Sequence, residues 1–284
     1  VSAGSAATKN TTGSINSYVK ANPTYGQSVV SWSGSGTNND TVGHGLSGAP
    51  EMVICKRRNN GTDQWAVYHA SLGQGFLQLN NNDAYSSATD RWGTNAPTST
   101  VMNLGHAGST NNGSGTYIAY MFDSVAGYSK FGTYTGNGST TGPTITTGFK
   151  PAFILIKKSS GGETWQLHDN VRPDDNVLRP SSSAAEIVSD GTYLIDFNDT
   201  GFQLKGTSGA ENENGGTYIY AAFADTREYA YWLDQSGNNN DWTAENLTES
   251  DISVDTPTNN FCTWNPLTKG AYALSWSEGN LKVN

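Results

Sequence analysis

The sequence predicts an all-β protein made of two tandem β-sandwich modules of the jelly-roll or lectin-like type, with an extended N-terminal arm and a C-terminal extension. Two observations lead to this prediction. The composition favours strands and turns over helices, and an internal repeat about as long as a small domain runs through most of the chain.

The composition is that of a strand-and-turn protein. The 284 residues include 33 Gly, 8 Trp, 14 Tyr and 9 Phe, and only 14% of the residues are charged. Gly and Asn favour turns, and aromatic and β-branched residues fit the pleated surface of a sheet. Short apolar segments separated by Gly- and Asn-rich turns at spacings of about ten residues are typical of sandwiches and jelly rolls.

The internal repeat has a clear start and a clear end. Residues 31–36 match residues 133–138 near the start, and residues 115–123 match residues 216–225 at the end. Because the matched positions at both ends are about a hundred residues apart, the spacing corresponds to a whole domain. The repeat therefore indicates a tandem duplication of one domain.

We expect four segments along the chain. An N-terminal arm or linker covers residues 1–27, and the two sandwiches cover residues 28–125 and 126–228. Residues 229–284 form a C-terminal extension or the start of a third β domain. The joint between the sandwiches is short, so it should hold them in a fixed relation. Because the chain begins with Val1 rather than Met, we expect a processed protein or part of a longer one.

The charge distribution argues against two classes of partner. With 25 acidic and 16 basic residues the formal net charge is −9. No basic face is visible for nucleic acid, and no apolar run reaches the roughly 18 residues of a membrane-spanning segment. The one basic run, Lys56-Arg57-Arg58, is explained as the solvated end of a strand. Cys55 lies in an apolar strand, where we expect a buried free thiol.

Three stretches of the second repeat share a pattern with known proteins. Residues 134–139, 147–153 and 216–224 together resemble a repeat module of tail fibres and related appendage proteins of bacteriophages, marine phages especially.

The C-terminal part extends this resemblance. Residues 240–243, 254–261 and 265–267 resemble the segment that follows such repeats in the same proteins. Residues 233–238 are similar to the entry strand of concanavalin-A-like and laminin-G-like sandwiches.

The resemblance implies an extracellular protein of the virion surface. It implies a structural subunit that assembles with other appendage subunits as a homo-oligomer, with a trimer favoured, and displays loops for attachment to host-surface glycans. It brings no catalytic residues with it.

Recurring aromatic residues are the sequence signal for ligand binding. A Trp followed by Tyr or His occurs at the same place in both repeats, and aromatic faces beside polar side chains suit sugar recognition. The candidate ligand-binding residues are Trp65, Tyr68, His69, Trp165, His168 and Asp169. Packing of the recurring Trp in the core is the favoured alternative.

The only cofactor that the sequence suggests is calcium. Asp234, Asn238, Asn240 and Asp241 offer hard oxygen ligands, but an Asn-rich turn explains the same residues. The histidines lack metal-ligand spacing, and the acidic residues do not match between repeats. No catalytic pair is predicted, so we expect a protein that is not an enzyme.

The sequence therefore predicts a structural tail fibre or spike protein of a virion. One alternative is a secreted, lectin-like carbohydrate-binding protein that works alone, and another is a polysaccharide-degrading spike. Oligomerisation separates the first two, because an appendage protein should assemble by symmetry whereas a free lectin need not. Turnover of polysaccharide that is lost on substitution of one acidic residue would favour the third.

Overall fold

The computed structural model describes residues 6–188 and 191–225, together with two short strands nearer the C-terminus. The predicted all-β sandwich fold is confirmed, since nearly all regular structure is antiparallel strand. Residues 1–224 form one compact unit and residues 225–284 a second. In the second unit, Trp276–Ser277 pairs antiparallel with Lys282–Val283. The calcium candidates Asp234, Asn238, Asn240 and Asp241 lie outside the described residues.

The first module is a sandwich of a large and a small antiparallel sheet. Its strands are β1 (Thr8–Asn10), β2 (Ser17–Asn22), β3 (Gln27–Ser33), β4 (Asp40–Gly43), β5 (Met52–Arg57), β6 (Ala66–His69), β7 (Leu77–Gln78), β8 (Val101–Leu104) and β9 (Thr116–Phe122). The large sheet has the order β1-β2-β3-β9-β5-β6-β7, and the small sheet pairs β4 with β8. Short 3-10 turns occupy Pro23–Tyr25 and Ala70–Leu72.

The second module repeats the central part of this arrangement. Its elements are β10 (Ser129–Thr135), β11 (Thr144–Thr146), β12 (Pro151–Lys158), β13 (Gln166–Asp169), β14 (Ile195–Asn198), β15 (Gly201–Leu204), the short helix α1 (Gly209–Asn212) and β16 (Thr217–Ala224). The sheet order β10-β16-β12-β13 corresponds to β3-β9-β5-β6 of the first module, and β11-β15-β14 forms the small sheet. The internal repeat of the sequence is therefore a repeat of topology.

The segment predicted as an N-terminal arm or linker contributes strands β1 and β2 to the large sheet. Strand β2 pairs with β3 from Ser17 opposite Trp32 to Asn22 opposite Gln27, and β1 pairs with β2. Ser17 and Val19 point into the core while Tyr18 points outward, which is the two-residue period of a strand. The sequence hides this period because polar residues surround Val19.

The large sheets of the two modules are buried on both faces where they pack together. On β5, Val53 and Cys55 point into the core of the first module, whereas Met52 belongs to a cluster shared with the second. Leu155 on β12 and Ile219 on β16 belong to the same shared cluster. Strands covered on both faces read as continuous apolar runs rather than as alternating patterns, which explains the sequence of β5 and β12. Cys55 is a buried free thiol, as predicted, and burial raises its pKa.

Aromatic rings and hydrogen bonds complete the contact between the modules. The ring centroid of Phe122 lies 6.0 Å from that of Phe131 and 5.8 Å from that of Phe223. The indole Nε1 of Trp165 donates a hydrogen bond of 2.8 Å to the carbonyl oxygen of Gln78. This layer, which we call the shared apolar layer, is the cluster of Met52, Val67, Leu77, Phe131, Leu155, Trp165, Ile219 and Ala221.

A buried asparagine ties together the end of the first module. Asn111 donates from Nδ2 to the carbonyl oxygens of Gly105 (3.0 Å) and Thr37 (2.9 Å). Its Oδ1 accepts from the backbone N–H of Ser35 at 2.9 Å. These bonds connect the loop after β3 to the loop after β8.

The second module repeats these bonds atom by atom. Asn212 donates to the carbonyl oxygens of Gly206 and Ser139, both at 2.9 Å, and accepts from the N–H of Asn137 at 2.9 Å. The recurring Gly-x-Gly turn serves this contact, because a Cβ on Gly136 would lie 2.4 Å from the carbonyl oxygen of Glu213.

A tyrosine stands beside each of these asparagines. The Tyr117 hydroxyl accepts from the N–H of Asn112 and donates to the carbonyl oxygen of Gly108, both at 2.8 Å. Its ring stacks on Trp32 with a centroid distance of 5.5 Å. Tyr218 makes the equivalent bonds to Glu213 and Gly209, at 2.8 Å each, and stacks on Tyr134 at 4.9 Å. The buried Asn and Tyr of each module form what we call the loop lattice.

We expect Asn111→Ala to lower the free energy of unfolding by about 3 kcal/mol, because it leaves buried backbone groups without partners. Urea unfolding followed by tryptophan fluorescence measures this change. The control Asn38→Ala removes an exposed asparagine of the neighbouring turn and should change stability by less than about 0.5 kcal/mol. Equal effects of the two substitutions would contradict the structural role of Asn111.

We expect Trp165→Ala to destabilise both modules together, by about 4 kcal/mol, because the lost ring fills the shared apolar layer. Hydrogen exchange measured by mass spectrometry should show protection falling in β5 of the first module as well as in β12 of the second. The control is Val171→Ala, at a position 89% exposed. Loss of protection confined to the second module would show that the layer does not couple the two.

Candidate functional site

Four of the six predicted ligand-binding residues are buried. Trp165 is 0% exposed and lies in the shared apolar layer. Tyr68 packs inside the first module, edge-on to Trp92 with a centroid distance of 6.0 Å. His69 and His168 are 2% and 1% exposed. A ring without exposed surface cannot stack on a sugar, so the placement of these four favours packing over ligand contact.

His69 joins the two modules. Its Nε2 lies 3.4 Å from the carbonyl oxygen of Tyr220, and its Nδ1 accepts from the N–H of Ser71 at 3.4 Å. These contacts place the ring proton on Nε2. Burial lowers the pKa of His69 to about 4, although the hydrogen bond to Tyr220 acts in the opposite direction. The imidazole is therefore neutral near pH 7.

His168 forms a buried pair with a residue that sequence reasoning did not select. Its Nε2 lies 2.5 Å from Oε1 of Glu211, and both side chains are 1% exposed. The Tyr134 hydroxyl donates to the Glu211 carbonyl oxygen at 2.7 Å. The first module has Tyr68 and Thr110 at the corresponding places, so this polar interior belongs to the second module.

Asp169 lies near the surface in an ion-pair network. Its carboxylate is 2.6 Å from the guanidinium of Arg172, which also lies 2.6 Å from Glu186. Burial alone would raise the pKa of Asp169, but hydrogen bonds from Arg172 and from the backbone of Val171 outweigh it and lower the pKa. The network connects the end of β13 to the following loop.

Trp65, the remaining candidate, lies on a different surface. It is half-buried, and the ammonium of Lys56 is 5.9 Å from its ring. Lys56 is paired with Ile118 across β5 and β9, and Ile118 in turn with Ser31 across β9 and β3. Residues that face each other on neighbouring strands project on the same side of a sheet.

The row of side chains continues to the edge of the sheet. Ser31 faces Tyr18 on β2, and Tyr18 faces Lys9 on β1. The Tyr18 ring is 53% exposed, and Lys9 is exposed as well. In the adjacent row, Ser33 faces Thr116. The large sheet of the first module has an outer face, which points away from its own core. One half of this face carries Lys9, Tyr18 and Ser31, and the other half contributes to the shared apolar layer.

A groove of about 550 Å³ lies on this half of the face, which is within the size range of small-molecule sites. We call it the basic groove, because two of its lining residues are basic and none of the residues that the structure describes along it is acidic. They are Lys9, Ile15, Asn16, Tyr18, Ser31, Trp32, Ser33, Arg58 and Thr116.

The carboxylate of Asp63, whose backbone contacts Lys56, is already paired. Asp63 lies 3.1 Å from the guanidinium of Arg57, and its carbonyl oxygen accepts from the Lys56 ammonium. In the part of the chain that the structure describes, Lys9, Lys56 and Arg58 form no ion pair with a carboxylate. The local charge is therefore positive on a protein whose formal net charge is −9.

The sequence contains one indication of this surface, the basic run at residues 56–58, and no indication of the part contributed by the N-terminal segment. In the basic run, strand alternation sends Lys56 and Arg58 to one side and Arg57 to the other. The contributions of Lys9 and Tyr18 were missed because residues 1–27 were interpreted as an arm.

The described residues contain neither a metal-binding cluster nor a membrane-spanning helix. Within these, no three His, Cys, Asp or Glu side chains cluster closely enough to hold a metal ion. None of the described helices has the length and apolar character needed to cross a membrane. The calcium candidates lie outside this part of the chain, so calcium binding stays a prediction.

Comparisons with known proteins identify a family. A family model described as a domain of unknown function (DUF7483) matches residues 2–227. No curated protein and no solved structure matches the chain.

We expect stability to fall as the pH drops from about 6.5 to about 4, in part because of His69. Its pKa is lowered in the folded protein, so the unfolded chain binds more protons in this window. The contribution is about 3 kcal/mol.

Urea unfolding at pH 7 and pH 4 tests this expectation. His69→Gln should reduce the loss of stability between the two pH values by most of that amount. The control is His106→Gln, at an exposed position, and its stability should depend on pH in the same way as that of the wild type. An unchanged dependence in His69→Gln would contradict a neutral, buried His69.

Proposed function

The chain belongs to the DUF7483 family, whose function is unknown, and we propose that it is a structural subunit of a virion appendage, a tail fibre or spike. The observation that carries the proposal is the shared apolar layer. Domains within one chain move relative to each other by default, unless the interface between them is large and hydrophobic. A fibre must hold its modules in one orientation, and this layer supplies such an interface.

The resemblance to phage appendage repeats supports the proposal through specific residues. The matching segments contain Tyr218 of the loop lattice, Tyr134, whose ring stacks on it, and Gly136 of the adjoining turn. Residues that match the appendage repeat therefore hold together the loops of the second module. The resemblance supports a common architecture with appendage proteins, and with it goes the proposed extracellular location on the virion.

The proposed subunit carries out no chemistry of its own. His168 and Glu211 are enclosed within the second module, and Asp169 is held by Arg172. A polysaccharide-degrading spike remains an alternative, but no contact among the described residues favours it.

A carbohydrate-binding protein that works alone is the second candidate. The basic groove favours it, because an exposed ring beside polar and charged side chains is suited to a sugar. The two candidates differ in assembly, since an appendage subunit closes into a symmetric oligomer with a trimer favoured.

We expect the purified chain, whose mass is 30.2 kDa, to behave as a trimer or a larger closed ring in light scattering. The mass should be constant over a wide concentration range, because a permanent assembly does not dissociate on dilution. Negative-stain electron microscopy of the same sample should show elongated particles of one size. A monomer at every concentration would contradict the appendage proposal and favour the free carbohydrate-binding protein.

A further inference from the structure

The proposed role as a structural subunit of an appendage does not explain the basic groove. We propose that it binds an acidic saccharide, that is, a glycan segment carrying uronic acids or similar carboxylates. The proposal rests on the proposed function in taking a surface glycan as the ligand, and it identifies a sheet face, rather than loops, as the surface that meets it.

Tyr18 supplies a platform for a sugar ring. It is 53% exposed although it sits in the middle of strand β2, where its neighbours Ser17 and Val19 are buried. Its cross-strand partners are Lys9 on one side and Ser31 on the other. An aromatic face accepts the CH face of a pyranose, and the flanking polar groups are within reach of its hydroxyls.

Hydroxyl and amide groups line the groove around this ring. Ser31, Ser33, Thr116 and Asn16 each offer both donor and acceptor atoms. A sugar hydroxyl also donates and accepts, so this lining can satisfy it in either sense. An apolar ligand would leave these groups without partners, which argues against one.

The charge of the groove selects an anion. Arg58 and Lys9 line it, and none of its described lining residues is acidic. Arginine binds a carboxylate through two parallel hydrogen bonds, which gives direction as well as affinity. The chain as a whole has a formal net charge of −9, so the groove is a basic patch on an acidic protein.

Packing and hydrogen bonds within the protein hold the floor of the groove in place. Trp32 lies under it, only 4% exposed, stacked on Tyr117, with its Nε1 donating to the carbonyl oxygen of Thr110 at 3.2 Å. The backbone N–H of Arg58 donates to Thr116 at 2.7 Å, which fixes the start of the arginine side chain. A preformed site loses little entropy on binding.

The surface is long enough for an oligosaccharide. Lys9 and Lys56 occupy one row across five neighbouring strands, which corresponds to about 19 Å at the usual inter-strand spacing. Trp65 lies next to Lys56 beyond the groove, so a second aromatic ring stands at the far end of the row. A single-stranded nucleic acid is less well matched, because three cations are too few for a phosphate-tracking channel.

The site occurs in the first module alone. Lys157 of the second module corresponds to Lys56, but it is buried and bonded to the carbonyl oxygens of Lys158 (2.9 Å) and Asn82 (3.4 Å). In the described part of the second module, no strands correspond to β1 and β2, which supply Lys9 and Tyr18. We therefore expect one such saccharide site within the part of the chain that the structure describes.

Isothermal titration calorimetry with two defined probes tests the proposal on the full chain. Tetragalacturonate, which is acidic, should bind at least about tenfold more tightly than neutral maltotetraose, and its binding should weaken as salt is raised. Arg58→Gln should weaken tetragalacturonate binding about fivefold, and Tyr18→Ala about tenfold, whereas Tyr18→Phe keeps the ring and should bind like wild type.

The matched control is Lys130→Gln, which removes an exposed positive charge from the second module and should bind like wild type. Equal binding of the two probes, no binding of tetragalacturonate, or equal effects of Arg58→Gln and Lys130→Gln would overturn the proposal. Preferential binding of an oligothymidylate in the same titration would overturn it as well.

Light scattering on the same samples separates the two proposals. A closed oligomer that fails to bind overturns the saccharide site and leaves the appendage proposal standing. A monomer that binds tetragalacturonate does the reverse. Since Tyr18 and Arg58 are exposed, their variants should fold, and circular dichroism confirms this before titration.

Discussion

Burial of the two large sheets on both faces, where the modules pack together, is the constraint on which the rest of the structure depends. Each sheet packs against its own small sheet on one side and against the shared apolar layer on the other. This arrangement makes one body of the two sandwiches, and it places Trp165 and His69 in the interior. It also leaves one half of the outer face of the first sheet for the row that contains Tyr18.

Equivalent residues of the two repeats show how strongly this constraint acts. Lys56 has its ammonium over Trp65, whereas its counterpart Lys157 is buried. Burial lowers the pKa of Lys157 to about 8, although Glu163 and Asp83 act to raise it. At equivalent positions, a lysine is thus partly exposed in the first module and buried in the second.

Both repeats have the loop lattice, but the surroundings of their sheets differ. Asn111 and Asn212 make the same three hydrogen bonds, because the loops they hold must close each sandwich in the same way. Around this common frame the modules differ: the first has the strands that carry Tyr18, and the second has the buried pair of His168 and Glu211.

The sequence by itself determined the all-β class and the duplication, because these depend on local turn chemistry and on a pattern that recurs along the chain. It did not determine which faces of the strands would meet. Trp65 and Trp165 look alike in sequence, yet one is half-buried and the other fully enclosed. Only the tertiary structure decided this, because the packing of one module on the other brings together residues about a hundred positions apart, and no local pattern records that contact.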